Sequence, residues 1–187
     1  MEVSLADEED IDGVLAVQKE QLLAYRPEES KTILEQEGFL IYPTSAEELR
    51  AIIQDKKGHI FLVAKEKEAI VGYVLTYDLE TWIRSEAHWT EKIIVPEDVR
   101  ALLYRSKTLY LRHVARRKGF KGCGKILETE LFRLAKARGY SLVVAEILEK
   151  PHHNIASTSL HVKLGFSKIG IKNDKGGRVW GVYAKKL

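Results

Sequence analysis

Val114-Ala-Arg-Arg-Lys-Gly119-Phe-Lys-Gly122-Cys-Gly124-Lys-Ile-Leu127 is a basic, glycine-rich turn set between an apolar run and a helical pattern. Residues 109–114 ahead of it read as a strand. Residues 124–138 behind it read as a helix, with Leu127, Leu131, Leu134 and Ala135 inward and Gly139 as its C-terminal stop. Glycines let backbone amides turn toward a ligand and come close to it, and a helix start adds the positive end of a dipole, so a phosphate is the natural occupant. The charge agrees: from Lys107 to Leu127 there is no acidic residue, whereas Lys107, Arg112, Arg116, Arg117, Lys118, Lys121 and Lys125 are all basic. Two nucleotide-binding turns are excluded by spacing. Gly124-Lys125 is followed by Ile126 where a P-loop needs Ser or Thr, and Gly119-Phe-Lys-Gly122-Cys-Gly124 reverses the spacers of a dinucleotide turn.

Working outward, residues 3–5 are a short strand candidate, and Ile11, Val14, Leu15, Gln18 and Leu22 recur at helical spacing. Residues 44–54 predict a second helix, with Ser45 and Glu48 as a capping box. Residues 60–64 and 69–77 predict strands joined by the polar Lys65-Glu66-Lys67-Glu68 connection. Residues 80–106, with Trp82, Trp89 and Tyr104, read as a partly helical insert. Residues 141–148 are a nearly continuous apolar run, as in a strand buried on both faces. Residues 154–164 form a helix capped by Asn154, and residues 166–172 and 179–184 are strands around the turn Asn173-Asp174-Lys175-Gly176-Gly177. The order is a mixed α/β (α+β) sheet in a single domain spanning residues 1–187.

Composition bounds the function. At 187 residues, 45% hydrophobic and 30% charged, the chain is long enough for one self-sufficient core and too apolar for disorder. Cys123 is the single cysteine, which removes an internal disulfide or a cysteine zinc site and fits a reducing compartment. No stretch approaches the ~20 apolar residues of a membrane span, and the acidic first ten residues are unlike a secretory signal, so a cytoplasmic location without membrane association is expected. A net charge of +3 does not imply nucleic acid. His113, His152, His153 and His161 have no metal-ligand spacing, so no metal is expected.

A second motif follows the first: Asn154-Ile-Ala-Ser157-Thr-Ser-Leu160-His161-Val-Lys163-Leu-Gly165-Phe166. Together the two resemble the GNAT superfamily of N-acyltransferases. The family's central loop, Val-x-Pro-x-x-Arg/Gln-Gly-x-Gly-x-Gly, wraps the pyrophosphate of acetyl-coenzyme A. Val114, Gly122 and Gly124 fall on its valine and last two glycines. Gly119 stands where Arg or Gln is usual, Phe120 where Gly is frequent and Arg116 where Pro is common, with Arg116, Arg117 and Lys118 as replacement charge. The second motif is similar to Asn-x-x-Ala-x-x-Leu-Tyr-x-Lys-x-Gly-Phe, with Ser157 for Ala and His161 for Tyr.

The resemblance implies a GNAT-like fold, a mostly antiparallel sheet with helices on both faces and a parallel strand pair at the cofactor cleft. It implies acetyl-coenzyme A as co-substrate and direct transfer of its acetyl group to a primary amine in a ternary complex. The amine belongs to a small molecule or a protein, and the chain is a monomer or homodimer. Cofactor contacts are implied at the backbone of Arg112, His113 and Val114, at Phe120, Lys121, Gly122, Cys123, Gly124 and Lys125 in the loop, and at Asn154. Cys123, between two glycines, is read as packing and not as a nucleophile. His161 takes the place of the family's proton donor, with a helix-surface histidine as the plain alternative. The base that activates the amine falls on Glu146 by counting from Gly139 and on Glu149 by counting back from Asn154. Glu146 is preferred, because packing holds strand register while loops absorb length. Trp82, Trp89 and Tyr104 either line the acceptor pocket or cover the sheet. The competing reading is a coenzyme A-binding regulatory protein of the same fold without efficient turnover.

Overall fold

Period-two and continuous apolar runs pair into one eight-stranded sheet in the computed structural model, which describes residues 1–55, 58–85, 89–174 and 176–187. The strands are β1 (Glu2–Leu5), β2 (Ile60–Glu66), β3 (Ala69–Asp78), β4 (Ile93–Ile94), β5 (Thr108–Arg116), β6 (Leu142–Lys150), β7 (Ser167–Asn173) and β8 (Val179–Lys186), in the order β1-β2-β3-β5-β6-β8-β7-β4. Every pairing is antiparallel except β5 with β6. The helices are α1 (Ile11–Gln21), α2 (Lys31–Glu37), α3 (Ala46–Gln54), α4 (Leu79–Ser85), α5 (Trp89–Lys92), α6 (Glu97–Arg105), α7 (Cys123–Ala137) and α8 (Ile155–Lys163). The mixed α/β fold is therefore as expected. Lys175 of the 173–177 turn and residues 86–88 of the insert lie outside the described residues. Among the described residues no helix is long and apolar enough to cross a membrane.

The sheet is covered on both faces. One core joins Ile11, Val14 and Val17 of α1 and Leu49 of α3 to Val63, Tyr73, Leu75 and Val144. The other joins Leu127, Leu131 and Ala135 of α7 to Leu62, Val74, Leu109 and Val143. Full burial of a leucine such as Leu127 or Leu131 contributes about 1.5–3 kcal/mol, so α7 is anchored by packing before its ends matter. Gly72 lets α7 approach β3: a Cβ there would lie 2.4 Å from Cys123 Sγ.

Three details depart from the expectations. Ser45 Oγ accepts from the Glu48 N–H, but the Glu48 carboxylate accepts from Tyr77 O–H instead of closing the capping box, because β3 offers a buried donor beside it. Helix α2, begun by a Ser30 cap, has no counterpart among the expected elements; its seven residues show too little periodicity. The insert is helical, as expected, but it also carries β4, a two-residue strand at the sheet edge against β7, too short to leave a pattern.

Candidate active site

The site begins where β5 and β6 part. Their parallel ladder runs from Thr108–Leu142 to Leu111–Ala145 and ends there, while β5 continues along β3 to Arg116 and β6 continues along β8. At the same point β5 bulges. Leu75 faces His113 and Thr76 faces Leu111, so Arg112 is the extra residue, and Arg112 and His113 fall on one face of the sheet. Beyond Leu111 the β6-facing backbone of β5 borders the gap, which opens into a cavity of about 640 Å³.

One end of the cavity is the glycine turn. Gly122 caps α7 with φ +85°, and Gly119 has φ +91°, both in the left-handed region that favours glycine; a Cβ on Gly122 would point into open space. A Cβ on Gly124 would lie 3.0 Å from Leu160 Cδ2, so this glycine lets α8 approach α7. Val114, Gly122, Gly124, Lys125 and Arg116 line the cavity. Three of the residues expected at the cofactor do not: Phe120 packs on the α7 core, Lys121 is exposed, and Cys123 is fully buried, its thiol pushed up to about 11 by that burial. The expected replacement charge is also redistributed. Arg117 lies 3.6 Å from Glu20, and Lys118 pairs with Glu29 at 2.8 Å and Glu37 at 3.7 Å. Arg26 and Lys118 together hold the Glu29 carboxyl down at about 2. Arg116 and Lys125 are the basic side chains from the loop that reach the cavity wall. Asn154 lines it too, and clamps two segments: Nδ2 donates to Phe39 O at 2.9 Å while Oδ1 accepts from Ser157 N–H at 3.1 Å, capping α8.

The other end is walled by aromatic rings and holds Glu146. Its Oε1 accepts from Trp89 Nε1–H at 2.7 Å; Oε2 accepts from Tyr110 O–H at 3.1 Å and pairs with Lys172 Nζ at 2.5 Å. Glu149, three residues on, faces away, bound to Lys168 Nζ at 2.7 Å and Tyr183 O–H at 3.0 Å, and does not line the cavity. Alternation along β6 puts residues three apart on opposite faces. Trp82 lines the cavity and stacks on Tyr110 at 4.3 Å; Trp89 is buried on Glu146; Tyr104 is exposed away from both. The Arg112 guanidinium lies over the Trp82 ring at 5.1 Å and the Tyr42 ring at 5.8 Å. His113 turns its Nδ1 to Tyr73 O–H at 3.2 Å, and burial, then the Arg112 charge, push its imidazole down to about 3.

His161 lines the cavity but is buried, not a surface residue. Its Nδ1 is 2.7 Å from Ser157 O, a pure acceptor, so the proton of the neutral ring sits on Nδ1. Nε2 faces Glu128 Oε2 at 3.8 Å, and among the described residues neither that nitrogen nor either Glu128 oxygen has a hydrogen-bond partner. Burial pushes the Glu128 carboxyl up to about 8 and the His161 imidazole down to about 4, so near neutrality the pair carries one proton. Sequence reasoning missed Glu128 and Lys172. Glu128 could have been found: it shares the buried α7 stripe with Gly124, Leu131 and Ala135 at four- and three-residue steps, where a carboxylate is out of place.

The acetyltransferase (GNAT) family model matches residues 23–166. Solved structures give the same fold. The ribosomal-protein-alanine N-acetyltransferase from Brucella melitensis is 21% identical, with a TM-score of 0.64 over 100% of both chains. PaiA N-acetyltransferase from Thermoplasma acidophilum, solved in complex with coenzyme A, is 18% identical, with a TM-score of 0.63 over 100% of this chain and 98% of that one. Aminoglycoside 6'-acetyltransferase type Ii is 13% identical, with a TM-score of 0.64 over 100% of this chain and 97% of that one. No curated protein matches the chain. The parted parallel strands, the glycine turn and the family match agree, and the chain belongs to the acetyltransferase (GNAT) family.

Proposed function

We propose that this chain transfers the acetyl group of acetyl-coenzyme A to a primary amine by direct attack in a ternary complex. The observation that carries the reading is the single cavity joining the parted β5 backbone and glycine turn at one end to the Glu146 carboxylate at the other. The turn fits a pyrophosphate: the Gly122 position leaves open space where a side chain would stand, and α7 begins there with its free amides and dipole. Gly122, Gly124, Lys125 and Arg116 would hold the phosphates, and the β5 backbone from Arg112 to Val114 would hold the pantetheine arm and polarise the carbonyl. Acetyl-coenzyme A supplies the acyl group and departs as the thiol.

Glu146 is the proposed base. Three donors orient its carboxylate, yet Oε1 accepts only one of them and keeps a lone pair for the amine or for a water between. His161 and Glu128 are the proposed proton source for the thiolate, as a pair that holds one proton behind the cavity wall. Relatives named for ribosomal-protein alanine and for aminoglycosides support an amine acceptor, small or protein-borne, as a class. The cytoplasm is the proposed location, and monomer or homodimer the proposed state.

The three donors on Glu146 equally favour a second reading, in which the carboxylate is structural and the chain binds coenzyme A without efficient turnover. Thiol release from acetyl-coenzyme A with a broad amine panel separates them. Amine-dependent release supports transfer. A rise in melting temperature with acetyl-coenzyme A and no release on any amine supports the binding protein.

A further inference from the structure

The bulge in β5 turns Arg112 into the acceptor end of the cavity, where no counter-ion meets its charge among the described residues. Among the described residues its buried Nε has no hydrogen-bond partner and its guanidinium makes no hydrogen bond or ion pair, only contacts to the Tyr42 and Trp82 rings. The acids of that end are already matched. Glu146 is taken by Lys172, and Asp174 accepts from Trp180 Nε1–H at 3.2 Å and lies 3.5 Å from Arg178. A guanidinium confined between two aromatic rings has less freedom left to lose on binding, and its planar N–H fork suits a carboxylate. The base lies close by through packed rings: Arg112 sits over Trp82, Trp82 stacks on Tyr110, and the Tyr110 O–H reaches Glu146.

We propose that Arg112 binds a carboxylate of the acceptor, so that the substrate is a small amino carboxylate, an amino acid with an apolar body, whose amine faces Glu146 and whose side chain lies on the Tyr42 and Trp82 rings. The inference rests on the amine-transfer reading and narrows it. Glu146 takes the proton that the amine must lose, and the acetyl group moves from sulfur to nitrogen with the thiol as the other product. The Arg112 fork neither gains nor loses a proton and acts by position alone.

The test compares each of several apolar amino acids with its own amide, under saturating acetyl-coenzyme A, by thiol release. Amides have the lower amine pKa and more free amine at neutral pH, so without carboxylate recognition they are the better acceptors. The expected result is the reverse, with kcat/KM about 10- to 100-fold higher for the acids, the range of one charge-assisted hydrogen-bonded pair. Arg112→Gln should shrink the acid-over-amide ratio of kcat/KM by a similar factor, whereas Arg112→Lys should recover part of the preference. Amides or peptide amines used as well as the free acids overturn the proposal, as does an Arg112→Gln variant that loses both kinds of acceptor equally. If no amine supports release at all, the transfer reading has failed, and the carboxylate site is read separately by calorimetry with coenzyme A present. N-acetyl amino acids that bind at least tenfold more tightly than their amides then uphold it, and equal binding sinks it.

Discussion

Replacing Glu128 by Gln removes a buried titrating group and keeps its shape, and the stability change should depend steeply on pH. Glu128 is fully buried, with neither oxygen hydrogen-bonded among the described residues, and burial lifts its carboxyl from 4.5 to about 8. The same burial lowers His161, its neighbour at 3.8 Å, from 6.5 to about 4. Folded, the pair therefore holds one proton between about pH 4 and 8, whichever partner carries it. Unfolded, it holds two protons below pH 4.5, one from 4.5 to 6.5 and none above. The native state binds the extra proton only in the last window, so the pair's contribution to stability is level from pH 4.5 to 6.5 and falls from 6.5 to 8. The fall is about 1.4 kcal/mol per pH unit, roughly 2 kcal/mol in all. In Glu128→Gln the carboxyl's share vanishes, and the amide N–H can donate to His161 Nε2. The variant should gain on the wild type steadily from pH 4.5 upward, by about 3 kcal/mol between pH 5 and 7.5. Urea unfolding of both proteins across that range reads the difference directly, because every other titrating group cancels in it. A stability difference that stays constant with pH would refute the reasoning, since it would mean that Glu128 ionises in the folded protein as it does in water.

Gly122→Val should cost about 1–2 kcal/mol through its positive φ alone; a folded variant should show no rise in melting temperature with acetyl-coenzyme A, and an undiminished rise would move the phosphate site away from the turn. Glu146→Gln should lower kcat while leaving coenzyme A affinity intact, and because it strands the buried Lys172 charge, Glu146→Gln with Lys172→Met serves as the folding control. Glu149→Gln should leave turnover unchanged, and the opposite ranking of the two would transfer the base role to Glu149. His161→Phe keeps a ring against Phe166, now 4.8 Å away, and should cut the rate by about 10²- to 10⁴-fold with acetyl-coenzyme A binding retained. His161→Tyr should keep activity to higher pH, and a wild-type rate in His161→Phe would leave thiolate protonation to water.

The order of the seven longer strands and of helices α1, α3, α7 and α8, the glycine turn and the asparagine cap of α8 could be read from the residues, because periodicity, glycine at helix ends and capping are local properties of the chain. The two motifs were enough to reach the family for the same reason: a phosphate cradle is a run of consecutive residues. What lay beyond reach depends on partners distant in sequence. That Arg117 and Lys118 spend their charge on Glu20, Glu29 and Glu37 follows from the N-terminal helices folding over the loop, which no spacing within 107–127 reveals. The choice between Glu146 and Glu149 rested on two counts that disagreed; the pleat puts them on opposite faces, and only the ladder of β6 with β8 shows which face meets the cavity. The bulge that turns Arg112 toward Trp82 and Tyr42 is a mismatch between β3 and β5, invisible in either strand alone. Glu128 and His161 were each visible in a helical pattern, but the pair's proton count depends on both being buried side by side, which exists only once two helices have been packed together.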